Sequence, residues 1–212
     1  MDPNRKKRNE LAAQRVIKGL NSRNMEGYYA ATKEEALEKA LELIPEGCSI
    51  GWGGSMSIKE TGLLEKVCSG NYTVYNRDIC KTPEEKRKTQ LQIFTSDYFL
   101  CSTNAVTEDG VLVNVDGTAN RVSCICWGPA NVLMIVGMNK VVKSVDDAVA
   151  RARNEAAPVN AQRFGLDTPC SKTGVCANCK SPDTVCCQVL VTRYSKEKGR
   201  IKVILVNDDL GF

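Results

Sequence analysis

Apolar and polar positions follow two rhythms along this chain, and the alternation between them lays out its elements. Short apolar runs read as strands; longer stretches with apolar residues three and four apart read as amphipathic helices. Residues 11–24 place Leu11, Val16, Ile17 and Leu20 on one helical face. A strand is expected at 28–31. Thr32, Lys33, Glu34 and Glu35 then form a capping box, in which the threonine hydroxyl accepts an early backbone N–H and Glu35 reaches back. Ala36, Leu37, Ala40, Leu41 and Ile44 line the helix it opens, and Pro45 and Gly47 end it.

The pattern repeats. Residues 48–52 read as a buried strand, Gly53-Gly54-Ser55 as the turn after it, and Ile58, Leu63, Leu64 and Val67 as the face of one following helix. A strand at 72–75 precedes Thr82-Pro83-Glu84-Glu85, which joins a cap, a proline at the first helical position and an acid at the third. Strands at 97–102 and 111–115 lie either side of a polar segment with a Glu-Asp-Gly turn, suggesting a hairpin. A helix over 118–127, a buried strand over 131–136 and a helix capped at Ser144 come next. Two last strands, 189–194 and Ile201–Val206, flank the charged turn SKEKGR. Strands separated by helices of this length predict a layered α/β fold with an open, mostly parallel sheet. The whole chain, 1–212, reads as a single domain.

Composition narrows the classes. No apolar run approaches the roughly 20 residues of a membrane helix. The charged start, MDPNRKKRNE, lacks the apolar core of a secretory signal, so the expectation is a cytoplasmic protein with no membrane partner. The formal charge is +4, and much of it sits in Arg5, Lys6, Lys7 and Arg8. No aromatic residues interleave with these charges, so a solvated helix end is expected there rather than a nucleic-acid site. There is no histidine, which removes Ser/His and Cys/His dyads and every histidine-ligated metal.

The eleven cysteines are not a disulfide framework in a reducing compartment. Four fall in one loop, 168–188, as C-x5-C-x2-C-x6-C: Cys170, Cys176, Cys179 and Cys186, with Cys187 directly after. This loop has too little apolar material to pack on itself, and thiolates on one inorganic centre would hold it. One Cys-x2-Cys pair fits structural zinc poorly. Ligands of irregular spacing on one loop suit a 4Fe-4S cluster at least as well, so iron–sulfur and zinc both stay open. Cys48, Cys101, Cys124 and Cys126 sit in apolar contexts and are read as packing residues.

Two polar segments could form a ligand site. Gly53, Gly54 and Ser55 follow a strand and open a helix, where backbone N–H groups meet anions. Asn104, Thr107, Glu108, Asp116, Asn120 and Arg121 could face one cleft, with Arg121 as anion partner and Glu108 as general base.

The stretches GWGGSMSIKETGLL, STNAVTEDGVLVNVDGTANRV, VGMNKVVKSVDDAVARARNEAAPVNAQRF and IKVILVNDDLGF resemble the lactate-utilisation (LUD) domain family over nearly the whole chain. The cysteine loop resembles that of single-domain members. The resemblance implies a fold similar to the glucosamine-phosphate isomerase, ribose-phosphate isomerase and CoA-transferase superfamily, whose members bind phosphorylated sugars, nucleotides or CoA at strand ends. It also implies, for some members, a place in an iron–sulfur system oxidising lactate, although this chain lacks the paired ferredoxin-type cysteine runs of that system's large subunit. Two functions are therefore expected. One is a metal- or cluster-containing protein acting on a small organic acid or phosphorylated metabolite; the other is a non-catalytic binding module whose metal only braces the loop. A small-molecule ligand is the expected partner, with a second copy of the chain or a redox protein as further candidates.

Overall fold

The computed structural model describes residues 2–212. In chain order the strands are β1 (Glu26–Ala30), β2 (Ser49–Trp52), β3 (Thr73–Tyr75), β4 (Tyr98–Cys101), β5 (Ala105–Thr107), β6 (Leu112–Asp116), β7 (Asn131–Gly137), β8 (Val141–Val142), β9 (Gln188–Thr192) and β10 (Ile201–Val206). The helices are α1 (Pro3–Ser22), α2 (Lys33–Leu43), α3 (Met56–Glu60), α4 (Leu63–Ser69), α5 (Pro83–Phe94), α6 (Asn120–Cys126), α7 (Val145–Arg151), α8 (Ala157–Arg163) and α9 (Pro169–Thr173).

Six of the described strands form one sheet in the order β1-β10-β7-β4-β2-β3. Every pairing in it is parallel. Such a sheet must be covered on both faces, and its strands accordingly alternate between two cores. Val132, Met134 and Val136 of β7 pack toward Ala13, Val16 and Leu20 of α1 and Ile93 of α5. Leu133 and Ile135 of the same strand pack toward Ala36 and Ala40 of α2, Ile58 of α3 and Leu63 of α4. Each fully buried leucine or isoleucine contributes about 1.5–3 kcal/mol. Four further strands form a second sheet, β8-β5-β6-β9, whose Ala105 and Val113 pack with Ala148 of α7.

The capping predictions hold. Thr32 accepts from Glu35 N at 3.2 Å, although Glu35 reaches back to Ala31 N rather than to Thr32. Full boxes form at Thr82 and Ser144. The Glu-Asp-Gly hairpin forms, with Val106 opposite Leu112.

Other expectations need correction. The first helix begins at Pro3, not residue 11, because Asp2 caps it and a proline fits the first turn. Its buried face uses Ala13, Val16 and Leu20, whereas Leu11 is exposed. The helix expected after Gly53-Gly54-Ser55 is two helices, broken where Gly62 takes φ +74°. The last two strands, either side of the charged turn, fall in different sheets: β9 joins β6 while β10 lies inside the main sheet between β1 and β7.

The order of the main sheet positions a site. After β2 the next strand of that sheet is β3, on one side; after β4 it is β7, on the other. The chain therefore leaves two adjacent strands in opposite directions, and a crevice opens beyond their carboxyl ends.

Candidate functional site

That crevice encloses about 470 Å³. The segments just past β2, β4 and β7 make its floor: Gly54 and Ser55, then Ser102, Thr103 and Asn104, then Lys140. One wall comes from Asp116, Thr118, Asn120 and Arg121 around the start of α6. The other comes from Ala152, Ala157, Asn160 and Arg163, on the helical run from α7 to α8. Residues 152–156 of that run form a π-turn. Pro158 lacks an N–H and crowds the carbonyl four residues back, inside that turn, which accounts for the widening.

Arg121 holds the crevice together. Its Nη1 donates to Ser102 O at 3.1 Å, and its Nη2 donates to Asn104 Oδ1 and Val115 O, both at 2.7 Å. Asp116 turns its carboxylate onto the N–H groups of Arg121 and Val122, each at 3.1 Å, and so caps α6. Asn120 accepts from Thr118 Oγ1 at 2.7 Å. Gly54, Ser55, Asn104, Asp116, Asn120 and Arg121 thus come together as the sequence suggests. Gly53 lies just behind them; a Cβ there would stand 3.2 Å from the Phe99 ring and 3.4 Å from the Arg121 chain.

Two site residues do not belong to the crevice. Glu108 sits in the hairpin turn and pairs with Arg15 at 3.0 Å, on a surface with Lys18 and Lys143. It stands outside the crevice lining, so the structure does not bring it to the crevice as the base the sequence suggests. Thr107 is fully buried and gives its hydroxyl to Asp109, accepting from Val111 N. The hairpin carries both away from the strand ends. The part assigned to Arg121 also changes, since its donors are committed to the protein's own carbonyls. The guanidinium of Arg163, by contrast, stacks on the rings of Phe164 (4.3 Å) and Phe212 (5.7 Å), with no hydrogen-bond partner among the described residues. Arg77 also lines the rim, with the Asp78 carboxylate 3.9 Å from its Nε.

The residue that the sequence does not announce is Lys140. It is 3% exposed, yet lines the crevice. Its Nζ lies 2.9 Å from Ser57 Oγ and 3.2 Å from Ser102 Oγ. Burial, then the charges of Arg151 and Arg121, push its pKa down to about 7, while Glu60 and Cys101 act the other way. A lysine after an asparagine and before two valines, in GMNKVV, carries no local signal of this; only the sheet order brings it to Ser57 and Ser102.

Behind the α7–α8 wall lies a second cavity of about 260 Å³. Cys170, Cys176, Cys179 and Cys186 all line it, with Arg153 and the apolar Val149, Ala157, Val185 and Val189. Cys187 is exposed and not among them. Burial first, and then the neighbouring Cys176 and Cys170, push the Cys186 thiol up; Arg153 opposes this. Among the described residues no three such side chains stand close enough to hold a single metal ion. Ala157 and Val185 line both cavities, so the cysteine loop folds against the crevice rather than on a far edge.

The remaining cysteines divide. Burial pushes the thiols of Cys101 and Cys124 up to about 12 and about 11, as suits inert packing groups. Cys48 is half-buried and packs against the core that holds Ile50 and Tyr98, whereas Cys126 is exposed, which corrects its reading as a packing residue: α6 ends there with its outer face in solvent.

A family model described as the LUD domain matches residues 13–206. Among solved structures, a DUF162 family protein from Deinococcus radiodurans aligns with a TM-score of 0.55 at 11% identity, covering 93% of this chain and 98% of that one. At that identity the likeness speaks for the fold alone. No functionally curated protein matches.

Proposed function

As the chain belongs to the LUD domain family, we propose that its crevice binds a small anionic metabolite, an organic acid or phosphorylated compound, beside a thiolate-held iron–sulfur cluster. The observation that carries this reading is the shared wall: one cavity edged by Arg77 and Arg163 adjoins another lined by four cysteines, through Ala157 and Val185. Asp116 is the carboxylate in the crevice lining, and it is turned onto α6. Arg77 has Asp78 3.9 Å away, which leaves Arg163 as the guanidinium without an ion pair among the described residues, and a ligand in this partly enclosed space meets that charge, which favours an anion.

The cysteine cavity fits a cluster in the chemistry of its donors. Sulfur-only ligation suits iron–sulfur clusters and zinc and excludes calcium and magnesium. The four cysteines line one space, although no three of the described side chains stand close enough to hold a single metal ion. The irregular spacing of the four on one loop, C-x5-C-x2-C-x6-C, with a single Cys-x2-Cys pair, supports a cluster at least as well as zinc. Cys170, Cys176, Cys179 and Cys186 would be its ligands, and Arg153 would offset their negative charge. A bound cluster supplies one-electron exchange or an electrophilic iron. The shared wall supports a working role for it over a mere brace, since a brace needs no proximity to the ligand.

Purification without oxygen, followed by absorption spectroscopy and iron, sulfide and zinc analysis, tests the cluster. Near-equal iron and sulfide with a broad brown absorption is expected, and Cys179→Ala should lose both. Stoichiometric zinc without colour, or unchanged iron in Cys179→Ala, would overturn the assignment.

A further inference from the structure

Lys140 has a function of its own. The two serines that hold it have their protons engaged elsewhere: Ser102 Oγ donates to Ile135 O at 2.7 Å, and Ser57 Oγ donates to Leu210 O at 3.2 Å. Both hydroxyls therefore offer lone pairs to Lys140 Nζ, which donates to each. A neutral amine has two N–H bonds and one lone pair. With both hydrogens held by the serines, the lone pair is the part of the nitrogen left for the crevice that Lys140 lines. Gly211 packs beside the amine, where an added Cβ would stand 3.4 Å from Nζ. The crevice keeps the guanidinium of Arg163 for the charge of an anion, so the amine is not needed as a counter-ion.

We infer that Lys140 is a nucleophile that captures the carbonyl carbon of a small anionic aldehyde or ketone as an imine. This rests on the crevice being an anion site, and names the class of anion. In the step, the Nζ lone pair forms a C–N bond and the carbonyl oxygen takes up a proton from nitrogen. The carbinolamine then loses one water to leave a C=N bond. No electrons are gained or lost. Burial supplies the neutral amine that an ordinary surface lysine lacks near neutral pH. Arg121 and Arg151, whose charges bear on this amine, keep it from holding its proton.

Glyoxylate with cyanoborohydride is the probe, because reduction converts an imine into a stable carboxymethyl group that peptide mapping locates. Oxalate, which is anionic but has no aldehyde or ketone, is titrated in parallel by calorimetry. Lys140 should be labelled at least about tenfold faster than any other lysine near neutral pH, and oxalate should suppress that labelling. In Lys140→Met the fast label should vanish while oxalate binding persists. If oxalate binds but label spreads over surface lysines without preference for Lys140, the nucleophile is overturned and the anion site stands. If oxalate does not bind and Lys140 is not labelled, both are overturned.

Discussion

Asn104 Oδ1 accepts two hydrogen bonds at once, from Arg121 Nη2 at 2.7 Å and from Val115 N at 2.9 Å. One buried amide oxygen thereby ties the exit of β4, the strand β6 and the first turn of α6 into one rim. The same guanidinium reaches Ser102 O, the backbone of the residue that holds Lys140. Rim and floor of the crevice are in this way one hydrogen-bonded unit, and such networks fix geometry when every member is satisfied.

Replacing Asn104 by alanine should cost about 2–3 kcal/mol, because two buried donors lose their acceptor. Asn104→Asp keeps the acceptor and faces an arginine, so it should cost clearly less. Urea denaturation of both variants checks the order. Equal losses would mean that the amide oxygen is not what matters.

Lys140 should make stability depend on pH. Its folded pKa is about 7, below the roughly 10.4 of an unfolded lysine. Between these values the unfolded chain binds more protons, so stability rises with pH across that window. Below about pH 7 the cost of burying the amine is complete. Lys140→Met should therefore stabilise the protein most at about pH 6–7. Its advantage should shrink by up to about 1.4 kcal/mol per unit toward pH 10. Denaturation midpoints across pH measure this; a difference constant with pH would contradict the buried, neutral amine.

Gly19 of α1 rests directly on the hairpin turn. A Cβ there would collide with the Asp109 carbonyl and come within 2.8 Å of Gly110 N. Neither backbone has a side chain to swing away, and Gly110 itself holds φ +87°. Gly19→Ala should lose about 1–3 kcal/mol, despite a helix-propensity gain of about 1 kcal/mol. Thermal melting decides, and a more stable variant would show that α1 shifts freely on the turn.

Much of the layered fold was legible because its signals are local. The boxes at Thr82 and Ser144, the long apolar runs of β7 and β10, and the hairpin turn each act within a few residues. The second sheet was not legible: β8 has two residues and β5 three, too few to show a period. Leu11 misled because it stands two residues from Ala13, about 200° around the helix, and so opposite the buried face of Ala13, Val16 and Leu20. At the site, the turn after β2 and the residues around Asn104 and Arg121 were visible as polar segments at strand ends. Glu108 and Lys140 went the other way for one reason. The hairpin turns Glu108 out to Arg15, and the pairing of β7 beside β4 brings Lys140 in toward Ser102. Both depend on contacts between residues far apart in sequence.

Arg163 provides the most direct test that the crevice takes an anion, since its guanidinium stacks on two phenyl rings but has no hydrogen-bond partner among the described residues. Oxalate and inorganic phosphate are titrated by calorimetry into the wild type and Arg163→Ala. At least one anion should bind the wild type. Arg163→Ala should weaken it about tenfold or more, which is about 1.4 kcal/mol, with its unfolding midpoint unchanged. Equal affinity in the two proteins, or no binding of either anion to the wild type, would contradict the account.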